Sequence, residues 1–177
     1  MRSETPPFFI LTGPPGSGKS TLLQVLSNDF TTVPEAARRV LAEERRTGGT
    51  ATGEQDPAAF VARMLETMIV DYDSADGVTL FDRGLPDLLA FCTYYALDDT
   101  AVKKAIHSRR YRLQVFFLPA WPNIYQSDEE RRLDFAGAEA FGGLTRAGFL
   151  SADYELIGVP KISVEARAEF IRAQIKR

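Results

Sequence analysis

The sequence is short of the residues that staple or metallate small proteins. Its 177 residues include one cysteine, one histidine and one tryptophan. A lone cysteine cannot close an intrachain disulfide, and there is no cysteine–histidine cluster at zinc-ligand spacing. An excess of one charge is missing too. The 21 Lys+Arg against 24 Asp+Glu leave a formal net charge of −3, which argues against binding nucleic acid through bulk electrostatics. No apolar run approaches the roughly 18 residues of a membrane span. The first one, Phe8-Phe9-Ile10-Leu11, runs straight into a glycine-rich loop, unlike a signal peptide. The expectation is a cytoplasmic protein with no membrane span and no nucleic-acid partner, whose anion site is local.

What is present is an ordinary globular composition, 45% hydrophobic and 25% charged. The length suits a single domain over residues 1–177, burying roughly 70% of its unfolded surface. Strand-like runs alternate with helical patterns, the signature of an α/β fold with a mostly parallel sheet. Strands are predicted at Phe8–Thr12, Thr31–Val33, Val78–Asp82, Gln114–Leu118 and Leu156–Val159. Helices are predicted from Ser20 to Leu26, from Glu35 to about Arg46, after the Asp56-Pro57 start signal, and from Leu88 to Leu97. A closing helix carries Val164, Ala168, Ile171 and Ile175 on one face. Cys92 reads as core, His107 as surface, and Arg109, Arg110 and Arg112 as a solvated helix end.

Between the first strand and first helix stands Gly13-Pro14-Pro15-Gly16-Ser17-Gly18-Lys19-Ser20-Thr21, which contains the phosphate-loop (Walker A) pattern G-x-x-x-x-G-K-[ST]. The glycines let the backbone curl its N–H groups around an anion, and the helix N-terminus adds its positive dipole end. Lys19 is expected to reach the β- and γ-phosphates and the Ser20 hydroxyl to bind Mg²⁺.

The fate of the phosphate is written at the other strand ends, where ligands of parallel α/β sheets sit. After the second strand, Glu35 is a candidate base for an acceptor hydroxyl, with Arg38 or Arg39 holding an anionic group. After the third, Asp82 takes the place of the acidic residue that holds Mg²⁺ through water. Arg83 follows it where motor ATPases carry a water-activating glutamate; an arginine suits a substrate or a transferring phosphoryl group. After the fourth, Ser127 and Glu130 have capping-box spacing, starting a helix at about Asp128 that carries Arg131 and Arg132. Such a helix can close arginines over the phosphates as a lid, at about residues 120–145, with Gly137, Gly142 and Gly143 as bend points. Trp121 and Tyr125 have two readings, stacking on a base or packing beneath the lid.

Four segments occur in order: G-P-P-G-S-G-K-S, E-A-A-R-R, F-D-R-G-L-P-D and P-A-W-P-N-I-Y-Q-S-D-E-E-R-R. Together they resemble the small AAA-type P-loop ATPase/kinase family that includes the nicotinamide riboside kinase domain of the bacterial NAD-synthesis regulator and the TRPL-translocation-defect proteins. The wider resemblance, to nucleoside and nucleotide kinases, implies a three-layer fold with a five-stranded parallel sheet in the order 2-3-1-4-5 and a helical lid. It implies roles as well: Glu35 as base, Asp82-Arg83 as the acidic-Arg pair, Arg131 and Arg132 as lid arginines. In those kinases Ser or Tyr usually follows the pair, whereas here Gly84 does, so the acceptor stays open. No guanine-recognition N/T-K-x-D pattern is present.

The leading expectation is a Mg²⁺- and ATP-dependent kinase acting on a nucleoside-like or other small acceptor. A regulatory ATP/GTP switch and a low-turnover ATPase are the alternatives, the latter disfavoured by Arg83. Acceptor choice is expected from the Gly48–Gly53 loop, the helix with Met64 and Met68, and residues near Asp87. Assembly into an oligomer is compatible with the sequence.

Overall fold

The computed structural model describes residues 5–125 and 133–176. The first strand, β1 (Phe8–Thr12), feeds the phosphate loop, and α1 (Lys19–Leu26) starts at its end. Then come β2 (Thr31–Val33), α2 (Ala36–Thr47), α3 (Pro57–Ser74), β3 (Thr79–Asp82), α4 (Asp87–Tyr94) and α5 (Thr100–Ser108). The chain finishes with β4 (Gln114–Phe117), α6 (Phe135–Ser151), β5 (Glu155–Gly158) and α7 (Val164–Ile175). The five strands form one sheet in the order β2-β3-β1-β4-β5, with every pair parallel.

The side-chain period of two sorts the core onto the two sheet faces. Phe8, Ile10, Phe81 and Val115 join a cluster with α2, α3, α4 and α5, which includes Met64, Leu88 and Ile106. Leu11, Leu80 and Phe116 join the opposite cluster with Leu22 and Leu26 of α1 and Ala168 and Ile171 of α7. Both faces of the sheet are covered, as a parallel sheet requires.

Predicted and observed elements differ in instructive places. The third strand starts at Thr79, because Val78 is 39% exposed and lies ahead of the ladder. The helix expected to run to Leu97 ends at Tyr94, where the backbone of Tyr95 and Ala96 leaves the helical region. The three arginines expected at a solvated helix end are not all free. Both ends of the Arg109 guanidinium bind Asp73 at 2.8 Å, and Arg110 donates to the Ala152 carbonyl at 2.9 Å with its guanidinium over the Tyr154 ring. Gly137, Gly142 and Gly143, read as bend points, lie inside the continuous 17-residue helix α6, capped by Asp134 accepting from Gly137 N at 2.7 Å. Gly142 serves close approach instead: a Cβ there would stand 3.0 Å from Pro14 of the phosphate loop.

Candidate active site

The phosphate loop takes its shape from its glycines. Gly13, Gly16 and Gly18 have φ of 142°, 74° and 88°, the region open to glycine. At Gly13 a Cβ would also sit 2.2 Å from the Leu118 carbonyl oxygen, so the turn off β1 cannot carry a side chain. The Lys19 ammonium, 3% exposed, lies along the loop and donates to the carbonyls of Gly13 (3.2 Å) and Pro14 (2.9 Å). Ser17 is buried beside it, its hydroxyl 3.5 Å from the ammonium. No acidic residue occupies the first turn of α1, which keeps the dipole end available to an anion.

At the end of β3, Asp82 is 5% exposed. Its Oδ2 accepts from the Ser20 hydroxyl at 3.5 Å, and its Oδ1 is buried with no hydrogen-bond partner. Burial, reinforced by the nearby Glu35 charge, pushes its carboxyl up to about 6. A buried carboxylate oxygen left unsatisfied next to a hydroxyl is the oxygen donor set that Mg²⁺ takes when phosphates and water complete its shell, so the residues fit that ion. Among the described residues no group of three or more His, Cys, Asp or Glu could hold a metal by itself.

Glu35, Arg83 and Asp87 form a second unit. Arg83 has a φ of 69°, a left-handed conformation that is strained for a residue with a side chain. Its Nε donates to Glu35 Oε1 at 3.1 Å and its Nη1 to Asp87 Oδ1 at 2.8 Å. Burial alone would depress the guanidinium's pKa, but the Glu35 and Asp87 charges more than reverse this and raise it. Asp87, fully buried, also accepts from Gly84 N at 2.8 Å and the Thr12 hydroxyl at 2.5 Å. Gly84 has no room for a Cβ, which would stand 2.4 Å from Ile10 Cδ1. Glu35 precedes α2 without capping it; its carboxylate turns to Arg83 and lies 3.6 Å from Arg38 Nε.

A cleft of about 760 Å³ opens beside the loop, lined by Pro15, Glu35, Arg38, Arg83 and the rings of Phe91 and Tyr95, among others. One wall is the 48–53 loop that was expected to govern specificity. Buried Glu44 holds it, bonded to Ala51 N at 2.9 Å and to Arg63 at 2.6 Å. Gly53 packs on the Tyr95 hydroxyl, 2.1 Å from a Cβ placed there.

Thus Lys19, Ser20, Glu35, Asp82 and Arg83 come together at the carboxyl ends of β1, β2 and β3. Arg39 is ion-paired with Asp71 of α3 and, with Arg38, lines a smaller cleft beside Ser20, Glu35 and Asp82. Arg131, Arg132 and the Ser127–Glu130 capping box lie outside the described residues. Tyr125 packs rather than awaiting a base, its ring against Gly16 and edge-on to Phe135 at 5.5 Å. Sequence reasoning missed the role of Asp87, although its i,i+4 spacing from Arg83 was a usable signal. It also missed Arg167, which falls on the apolar stripe of α7.

Such a site on such a sheet defines a P-loop protein of the kinase-like fold. The profile of an AAA-domain family matches residues 8–167, and the chain belongs to that family. No curated protein sequence matches it. Its fold is similar to that of deoxyadenosine kinase from M. mycoides (TM-score 0.66, 14% identity, 96% of this chain and 98% of that one). It is likewise similar to shikimate kinase from Acinetobacter baumannii in complex with shikimate (0.63, 17%, 98% and 94%). A third similar structure is the NadR protein in complex with NR (0.65, 14%, 98% and 52%). At these identities the likeness is one of fold.

Proposed function

We propose that the protein is a Mg²⁺-dependent small-molecule kinase that moves the γ-phosphate of ATP to an acceptor bound in the aromatic cleft. The observation that carries this reading is the cleft itself: a second pocket, sharing Glu35 and Arg83 with the phosphate site, is what a phosphotransferase needs and a plain hydrolase does not. The small-molecule kinases of similar fold support it. In this reading the loop amides and Lys19 hold the triphosphate. Bound Mg²⁺, held by Ser20 and Asp82, would offset charge on the phosphate oxygens. The acceptor hydroxyl oxygen bonds to the γ-phosphorus, the bond from that phosphorus to the β–γ bridging oxygen breaks, and the proton passes to Glu35, leaving ADP. Arg83 and Arg38 fix the direction of that carboxylate, and Arg131 and Arg132 are assigned to the developing charge.

The test is phosphate transfer from labelled ATP and Mg²⁺ to nucleosides, ribosides, nucleotides and sugars. Glu35→Gln is expected to keep nucleotide binding and lose transfer by about 10²–10⁴-fold, and Lys19→Ala to lose both. Triphosphate binding that depends on Lys19, with no transfer to any acceptor, would favour the regulatory-switch reading.

A further inference from the structure

The chain between α2 and α3 meets the aromatic cleft through a short span, residues 52–55, each of which lines it. That span is strung between two fixed posts. At its far end Asp56 N donates to the Thr52 carbonyl at 3.0 Å, and Asp56 in turn caps α3. At its near end stands Ala51, buried, whose N–H donates to Glu44 Oε2 at 2.9 Å. Between the posts Gly53 packs on the hydroxyl of Tyr95, a ring that stacks on Phe91 with centroids 6.4 Å apart.

The end of α2 does not need the Glu44 carboxylate. The backbone already finishes the helix, with Gly48 at a φ of 69° and the Gly48 and Gly49 N–H groups donating to the Glu44 carbonyl. A carboxylate in a last turn faces the negative end of the helix dipole, and burying it costs free energy that only its partners offset. Those partners are Arg63 of α3, at 2.6 Å, and the loop itself. The fit to the loop is close: a Cβ on Gly49 would stand 1.9 Å from Glu44 Oε2. Neither Glu44 nor Gly49 lines the cleft.

We infer that Glu44 is the positioning residue for the acceptor. It touches no part of that molecule, and fixes the 52–55 wall at the distance from Phe91 and Tyr95 at which the acceptor is gripped. A wall set in advance spares the acceptor the cost of ordering it. The inference rests on transfer to an acceptor in the cleft, the reading proposed above.

Intact protein is assayed with labelled ATP and Mg²⁺ against nucleosides, ribosides, nucleotides and sugars, and the parent's best acceptor is carried to the variants. Glu44→Leu is expected to raise KM for that acceptor about tenfold, with kcat and KM for ATP within about twofold of the parent. Glu44→Gln keeps an oxygen for the Ala51 N–H and is expected to recover most of the affinity. Gly49→Ala displaces the carboxylate from the other side and is expected to repeat the split; it also stands in if Glu44→Leu does not fold. Amide exchange read by mass spectrometry is expected to quicken over residues 49–55 in Glu44→Leu and Gly49→Ala, and to stay unchanged in β1 and α1. An acceptor KM that does not move, or that rises together with the KM for ATP, would overturn the inference and leave the kinase reading standing. Unchanged exchange in the loop would do the same. A parent protein that transfers phosphate to nothing on the panel sinks the kinase reading, and this inference with it.

Discussion

Arg83 shows how much one residue can be made to carry. Holding a side chain at positive φ costs about 1–3 kcal/mol, and such strain persists only where the surroundings over-determine it. Here Glu35 and Asp87 do so, one on each side of a buried guanidinium. Asp87→Ala would strip that cation of a partner and leave the Gly84 N–H and the Thr12 hydroxyl unsatisfied. The expected cost is about 3–5 kcal/mol, read from urea unfolding; a loss no larger than that of an exposed Asp→Ala change would contradict the network. Asp82 makes a pH prediction for the metal-free protein. Its folded pKa of about 6 lies above the ordinary 3.8, so the native state holds the proton longer than the unfolded chain does. Stability is therefore full below the lower value and falls as pH rises through the higher one, by on the order of 2–3 kcal/mol. Asp82→Asn removes the titration. Its stability relative to the parent is expected to grow between about pH 4 and 6 and level off above, and a difference independent of pH would refute the assignment.

At the scale of elements, α6 is the piece whose sequence misleads. Its glycines look like hinges, yet Gly142 and Gly148 are points of close packing. At Gly148 a Cβ would stand 3.1 Å from Leu89 Cβ and 3.3 Å from the Pro86 carbonyl oxygen, which is how α6 lies so close on α4. Gly143 has nothing within 4 Å. Gly148→Val is therefore expected to cost about 1–3 kcal/mol by overpacking. Gly143→Ala is expected to gain about 0.5–1 kcal/mol from helix propensity alone. Thermal melts of the two variants decide this: destabilisation of both would mean that the helix must bend at Gly143. The other elements were legible because their signals are local. Phe8–Thr12 is an apolar run stopped by a glycine that must turn, and Asp56 caps α3 through Ala59 N at 2.9 Å with Pro57 behind it.

For the whole molecule, the prediction concerns mass action. A ligand that binds only the folded state at a hundred times its Kd adds about 2.7 kcal/mol, or roughly 5–10 °C in Tm for a domain of this size. MgATP is expected to give such a shift, and Lys19→Ala to remove it. A shift that survives Lys19→Ala would place the nucleotide somewhere other than the phosphate loop. The aromatic cleft is a property at this scale, assembled from α2, the 48–53 loop, α4 and α6 across more than a hundred residues of chain.

The sequence by itself determined the phosphate loop, the alternation of strands and helices, and the strand ends at which Glu35, Asp82 and Arg83 stand. Each of these is a local matter: left-handed glycines, a period of two or 3.6, a polar residue ending an apolar run. The tertiary structure alone decided what those residues meet. It set Arg83 between Glu35 and Asp87, paired Arg39 with Asp71, and brought Arg167 from the far end of the chain to Gly18 and Trp121. Partners of that kind are chosen by where helices land on the sheet. Landing depends on side-chain volume and close approach summed over many residues, which no short stretch of sequence carries.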